Sequence, residues 1–141
     1  FNYVERHGMP LFELINNKVG EHRLVFLVHG GVDTEDREKA RQIAETTHDS
    51  IIVASYGTFS TGINIRNLHN VVFASPSKSK IRNLQSIGRV LRKGDHKTKA
   101  ILYDIADDIG KNYTLNHLIE RVKLYNEENF NYEFIDVRIR E

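Results

Sequence analysis

Hydrophobic residues along this chain fall into short uninterrupted runs that alternate with longer amphipathic stretches. Four such runs predict strands and occupy residues 24–28, 51–54, 71–74 and 100–103. Apolar runs without polar alternation are typical of strands that are covered on both faces, as in a parallel sheet. Each run ends in a polar or glycine-containing segment, and ligands of such sheets bind beyond the carboxyl ends of the strands. The pattern therefore predicts a functional edge where the four strands end.

Four amphipathic stretches predict helices, at residues 10–18, 33–46, 79–92 and 112–128. Asp33 and Thr34 suit the start of the second helix, because such side chains cap helices and acidic residues follow in its first turn. Alternating strands and helices predict an α/β fold with a doubly wound, mainly parallel sheet flanked by helices. No linker divides the chain, so a single domain over residues 1–141 is expected.

The two ends of the chain carry apolar residues outside these elements. The opening FNYVER is predicted to be a strand already under way, as expected of a fragment of a longer polypeptide. Apolar residues of the segment 130–141 are compatible with a last strand whose register the sequence leaves open.

Composition narrows the class of protein. The 141 residues include 20 basic and 19 acidic side chains, which argues against a polyanion-coating protein but allows a local phosphate-binding patch. Cysteine is absent and no run approaches the ~20 apolar residues that span a bilayer, so we expect a cytoplasmic protein without membrane contact. The histidines lack metal-binding spacing, and no metal site is expected.

Residues 85–94, QSIGRVLRKG, carry the most informative pattern. In a helix Gln85, Arg89 and Arg92 share one face, and apolar residues occupy the opposite face. Two guanidinium groups and an amide suit phosphate oxygens. A solvated cationic face explains the helix alone equally well.

The spacing Q-x-x-G-R-x-x-R resembles motif VI of superfamily 2 helicases. Residues 51–74 resemble motif V, residues 24–40 resemble the strand, glycine turn and charged helix between motifs IV and V, and the opening resembles a truncated motif IV. These elements follow one another in the order of that family. SYGTFSTGINIRNLHNVVFA, SKSK, GRVLRK and the later FNYEF are similar to the phage UvsW-type recombination and repair helicases.

The resemblance implies a motor in which ATP and Mg²⁺ bind mainly to a first RecA-like lobe that this chain lacks. By motif position, Arg89 and Arg92 are expected to be catalytic arginine fingers, and Gln85, Gly62 and Asn64 to lie beside the nucleotide. Asn64 stands where the family often has Asp. The residues expected to contact the DNA backbone are Ser55, Gly30, Gly31, Arg37, Lys78 and Lys80.

Each of these roles has a simpler structural alternative. Ser55 suits a cap of the following turn, and Arg37 suits an ion pair with Asp33. Lys78 and Lys80 suit a solvated helix start.

No G-x-x-x-x-G-K-[ST] phosphate loop occurs, so the isolated chain is not expected to hydrolyse ATP. For the same reason Asp104 is interpreted as a strand-end residue rather than a magnesium ligand.

The function implied is the second motor lobe of an ATP-dependent DNA helicase or translocase, with a role in branched-DNA unwinding during repair and recombination. Its partners are DNA and the first lobe of the same polypeptide. An RNA helicase lobe, a non-catalytic nucleic-acid-binding α/β module and a flavodoxin-like domain are the alternatives. The last leaves the arginine pattern unexplained.

Overall fold

The computed structural model describes residues 1–58, 65, 68–75, 99–108, 110 and 113–139. A π-helical turn at Val4–Gly8 leads into helix α1, and a 3₁₀ turn at Gly20–His22 follows α1. The helices and strands, in chain order, are α1 (Met9–Val19), β1 (Leu24–Val28), α2 (Thr34–Thr46), β2 (Ser50–Ala54), β3 (Asn70–Phe73), β4 (Ile101–Asp104) and α3 (Tyr113–Glu127).

The four strands form two parallel pairs. β1 pairs with β2, with Val28 opposite Ala54, and β3 pairs with β4, with Phe73 opposite Asp104. The paired strands therefore end level with each other, which places their carboxyl ends at common edges. The four predicted strands and the parallel α/β arrangement are confirmed.

The first two residues connect the two strand pairs. The backbone nitrogen of Phe1 donates to the Ala54 carbonyl at 2.9 Å, and the Tyr56 N–H donates to the Phe1 carbonyl at 3.0 Å. Nδ2 of Asn2 donates to the Ser75 carbonyl at 2.9 Å. The segment thus lies between the ends of β2 and β3.

The prediction of a strand over FNYVER is wrong: residues 1–3 have no regular structure, and a π-helical turn begins at Val4. His7 and Gly8 both donate to the Tyr3 carbonyl, at 3.1 and 2.9 Å, so helical hydrogen bonding begins there. The Phe1 ring packs on Gly8, where an added Cβ would lie 2.6 Å from two ring carbons.

Three of the predicted helices are confirmed with bounds close to those expected. Helix α2 begins as its sequence predicts, because Oδ1 of Asp33 accepts a hydrogen bond from the Glu35 N–H at 2.9 Å. The helix predicted at residues 79–92 lies outside the described residues. No described helix is long and apolar enough to cross a membrane.

The prediction of a last strand is wrong for the described part of the tail, since residues 130–139 have no regular structure. A strand requires a neighbouring strand to pair its backbone groups, and none of the described tail residues pairs with a strand. Their apolar side chains stay exposed, up to 91% for Ile139.

The core gathers at the carboxyl ends of β2, β3 and β4. Tyr56, Phe73 and Tyr125 form a buried cluster, in which the rings of Tyr56 and Phe73 lie 5.8 Å apart. This cluster packs α3 against the ends of β2 and β3.

Candidate nucleic-acid interface

A compact turn of His29, Gly30 and Gly31 follows β1. The Val32 N–H donates to the His29 carbonyl at 3.0 Å, and the Gly31 N–H donates to Nδ1 of the His29 ring at 3.1 Å. Gly30 and Gly31 are exposed. Both glycines predicted to meet the nucleic-acid backbone therefore lie at the surface where β1 ends, and the Gly31 amide already has an acceptor within the turn.

Ser55 lies at the end of the neighbouring strand β2. Its N–H donates to the Val28 carbonyl at 3.0 Å, which keeps it in register with the end of β1. Its hydroxyl lies 2.8 Å from the Thr58 hydroxyl and accepts a longer bond, 3.3 Å, from the Thr58 N–H. The capping interaction anticipated as an alternative is thus present. A half-buried hydroxyl keeps further hydrogen-bonding capacity, so a phosphate contact at Ser55 stays a prediction.

Arg37 lies in the first turns of α2, immediately beyond the glycine turn. Nη2 donates to Oγ1 of Thr34 at 3.0 Å, and Nε is buried with no hydrogen-bond partner in the described part of the chain. The alternative of an ion pair with Asp33 is wrong, because the Arg37 guanidinium bonds Thr34 and makes no contact with the Asp33 carboxylate, which caps the helix at Glu35.

Arg41, one turn later on α2, behaves differently from Arg37. Its guanidinium bonds Glu38 at 2.7 Å and Glu45 at 2.8 Å. The hydrogen bond to Glu38 raises the pKa of Arg41, and the same bond lowers the pKa of Glu38. The charge of Arg41 is therefore used within the helix, whereas no acidic partner of Arg37 is found among the described residues.

A second polar cluster, at the end of β4, was not predicted from the sequence. Arg121 of α3 grips the Asp104 carboxylate with two hydrogen bonds of 2.7 and 2.8 Å, and the Tyr125 hydroxyl donates to the same carboxylate at 2.6 Å. The Arg121 and Asp104 side chains are only 2% and 10% exposed. Asp104 is thus confirmed as a strand-end residue, and Arg121 is its missed partner.

Burial around this cluster shifts the ionisation of two phenols. Desolvation, followed by the hydrogen bond to Asp104, raises the pKa of Tyr125 well above its ordinary value. Burial raises the pKa of Tyr56 to about 12. Both phenols are therefore neutral at physiological pH, and the Tyr125 hydroxyl can donate its hydrogen bond to Asp104.

Seven of the predicted site residues lie outside the described residues, and their roles stay predictions: Gly62, Asn64, Lys78, Lys80, Gln85, Arg89 and Arg92. Of the predicted site, the described part brings together only the end of β1, the end of β2 and the start of α2. Within that described part no group of three or more His, Asp or Glu side chains is arranged to hold a metal ion.

The fold and this edge match a known family. The helicase conserved C-terminal domain model matches residues 2–94, and the chain belongs to that family. The α/β arrangement is accordingly that of a RecA-like lobe.

Individual relatives make the assignment finer. The chain is 46% identical, over 146 residues, to the ATP-dependent DNA helicase uvsW of Enterobacteria phage T4, a match that covers 94% of this chain and 28% of that protein. It is 34% identical over 97 residues to a putative ATP-dependent RNA helicase of Acanthamoeba polyphaga mimivirus, covering 69% of this chain and 17% of the relative. The crystal structure of T4 UvsW superposes with a TM-score of 0.72 over 94% of this chain and 29% of the UvsW chain. The chain thus spans under a third of the length of the relatives it matches.

Proposed function

We propose that this chain is the second motor lobe of an ATP-dependent DNA helicase or translocase. In this proposal it completes an ATP site held mainly by a first RecA-like lobe and grips the DNA backbone at the ends of β1 and β2. The observation that carries the proposal is that the His29–Gly31 turn at the end of β1 lies beside Ser55 at the end of β2, and that Arg37, which no described acidic side chain neutralises, follows in the first turns of α2. Family membership and the similarity to T4 UvsW support it.

The electrostatics of the edge suit a backbone grip. The chain has a formal net charge of only +1, so general attraction to a polyanion is weak and binding must depend on local groups. Arg37 supplies a cation, Ser55 a hydroxyl and Gly30 an exposed backbone, and these are donor types that hold phosphates without reading bases. Lys78 and Lys80 are proposed to extend the same patch. Binding should therefore be largely independent of sequence.

On the nucleotide side, we assign Arg89 and Arg92 as arginine fingers, with Gln85, Gly62 and Asn64 beside the nucleotide. Mg²⁺ bound with ATP supplies charge neutralisation at the phosphates. The two guanidinium groups stabilise the charge that develops on the transferred phosphoryl group, an effect worth roughly 10³–10⁵ in rate in related chemistry. Lys is a poor replacement because it lacks the planar fork.

The proposal is tested with the full-length protein by measuring ATP hydrolysis with and without nucleic acid. We expect single-stranded or branched DNA to stimulate turnover, and branched DNA to be unwound. The chain of residues 1–141 alone should show negligible hydrolysis. A full-length protein whose turnover ignores every nucleic acid would refute the motor assignment.

An RNA helicase lobe is the second candidate, because one of the two relatives is described as a putative RNA helicase. Phosphate contacts at Ser55 and Arg37 serve both nucleic acids. Titrating DNA and RNA oligonucleotides of matched sequence into the ATPase assay separates the two. Stronger stimulation by RNA would replace the DNA assignment and leave the motor assignment intact.

A further inference from the structure

His29 occupies the end of β1, where the nucleic-acid grip proposed above requires a donor. The helicase resemblance assigns the Gly31 amide to the phosphate backbone, but this amide donates to Nδ1 of His29 at 3.1 Å. A neutral imidazole that accepts at Nδ1 carries its proton on Nε2. The Gly31 N–H is therefore used within the turn, and the donor that remains for a ligand is Nε2–H of the His29 ring.

One hydrogen bond orients the His29 ring, and the second ring nitrogen is not buried. A Cβ at Gly31 would lie 3.1 Å from Cε1 and 3.2 Å from Nδ1 of the ring, so only glycine leaves the ring in place without adjustment. Nε2 is on the far side of the ring from the Gly31 bond. Nε2 is neither buried without a partner nor hydrogen-bonded to any of the described residues. The ring thus presents one oriented donor to solvent.

The neighbours of His29 indicate what this donor binds. Val28 lies opposite Ala54, and extending that register by one residue places His29 beside Ser55, on strands about 4.8 Å apart. The Ser55 hydroxyl lies at the end of β2, and Arg37 lies in the first turns of α2, shortly after the glycine turn. The imidazole, the hydroxyl and the guanidinium are all hydrogen-bond donors.

We propose that Nε2–H of His29 donates to a phosphate oxygen of the bound nucleic acid, adjacent to the Ser55 contact. This assignment rests on the nucleic-acid-binding function proposed above. A neutral donor adds a directed hydrogen bond without displacing a counterion, so its loss lowers affinity and leaves the salt dependence of binding unchanged. Loss of the Arg37 charge has the opposite signature, because it reduces the slope of log K against log salt by about 0.7 on single strands.

Two substitutions separate a phosphate contact from a role in holding the turn. In His29→Asn, Oδ1 stands the same number of bonds from Cβ as Nδ1 and can accept from Gly31, but the outward donor is gone. In His29→Gln, the amide nitrogen stands the same number of bonds from Cβ as Nε2. His48→Asn is the matched control, because His48 is exposed and precedes β2 at the opposite end of the sheet.

The measurement is fluorescence anisotropy of a labelled single-stranded DNA oligonucleotide with the full-length protein over a salt series. We expect His29→Asn to weaken binding roughly 10-fold, the size of one hydrogen bond to a charged acceptor. His29→Gln should recover most of the affinity and His48→Asn should bind like the wild type. The salt slope of His29→Asn should match the wild type, and that of Arg37→Gln should be shallower.

Several outcomes would overturn the assignment. Wild-type binding by His29→Asn with weakened binding by His29→Ala would show that His29 acts only by holding the turn. If His29→Asn raised the KM for ATP in the absence of DNA, the phosphate that His29 contacts would be that of the nucleotide. If the wild-type protein bound no nucleic acid, the proposed function itself would fall, whereas normal wild-type binding with an unaffected His29→Asn removes only the assignment of His29.

Discussion

Replacing Arg121 by Met is expected to be the most damaging single change in the described core. The substitution keeps much of the side-chain volume and leaves the Asp104 carboxylate, 10% exposed, with the Tyr125 hydroxyl as its remaining donor among the described side chains. Breaking a buried ion pair by removing one partner costs about 3–5 kcal/mol, because an uncompensated charge stays buried. We expect the free energy of unfolding to fall by that amount.

Further variants test whether this loss of stability comes from the Arg121–Asp104 ion pair. Tyr125→Phe removes one hydrogen bond to a charged acceptor and should cost about 1.5–3 kcal/mol. The triple change Arg121→Met, Asp104→Leu and Tyr125→Phe removes both charges and the hydroxyl that donates to Asp104, and it should restore most of the stability, since apolar replacements of buried pairs are often neutral. Lys123→Met is the matched control on the same helix, because its pair with Glu120 is exposed and worth less than about 1 kcal/mol.

Urea unfolding of the 141-residue chain, followed by far-ultraviolet circular dichroism, measures these differences when the slope with denaturant is unchanged. Two results would refute the reasoning. One is an Arg121→Met loss no larger than that of Lys123→Met. The other is a triple variant as unstable as Arg121→Met, which would show that packing rather than the unpaired charge sets the cost.

Three further predictions concern stability. Asp33→Ala should lower the free energy of unfolding by about 1 kcal/mol, because the cap of α2 is lost, while Asp33→Asn keeps most of it; equal losses in urea melts would contradict this. Gly8→Ala should cost about 1–3 kcal/mol through the clash with the Phe1 ring at 2.6 Å, whereas Gly57→Ala, with nothing within 4 Å, should cost little. The pKa of Tyr56 is raised from 10.0 to about 12 in the folded chain, so its contribution to stability is full below pH 10 and is lost as pH rises toward 12. Between pH 10 and 12, the free energy of unfolding should therefore fall less steeply with pH in Tyr56→Phe than in the wild type. Equal slopes in the two proteins would contradict the raised pKa of Tyr56.

The elements that the sequence predicted correctly are those determined by local pattern. Uninterrupted apolar runs at residues 24–28 and 51–54 fit strands covered on both faces, and they pair in parallel in the structure. The cap at Asp33 is equally local, since the acceptor and the Glu35 amide are two residues apart.

The features that the sequence missed depend on tertiary contacts. Alternating apolar residues in the tail favoured a strand, but a strand also requires a partner, and no described backbone pairs with residues 131–139. The Arg121–Asp104 pair joins residues 17 positions apart. The available signal was an arginine among the apolar residues of α3, one turn before Tyr125, which is costly to bury unless an acid accompanies it.

The candidate site was predictable in part for the same reason. The motif order placed Gly30, Gly31 and Ser55 at strand ends, and the structure places them at one edge. The hydrogen bond from Gly31 to His29 depends on the conformation of the turn, which the motif alone does not specify. Arg37 was predicted as a phosphate contact, and only the structure shows that its guanidinium bonds Thr34 rather than Asp33.

The proposed function depends most on the role of Arg89 and Arg92 as arginine fingers toward ATP held by a first lobe. Its most direct test is DNA-stimulated ATP turnover by the full-length protein carrying Arg89→Ala or Arg92→Ala, with ATP affinity measured on the same samples. We expect turnover to fall by roughly 10³-fold or more while ATP affinity changes little. Turnover at the wild-type rate in both variants would contradict it.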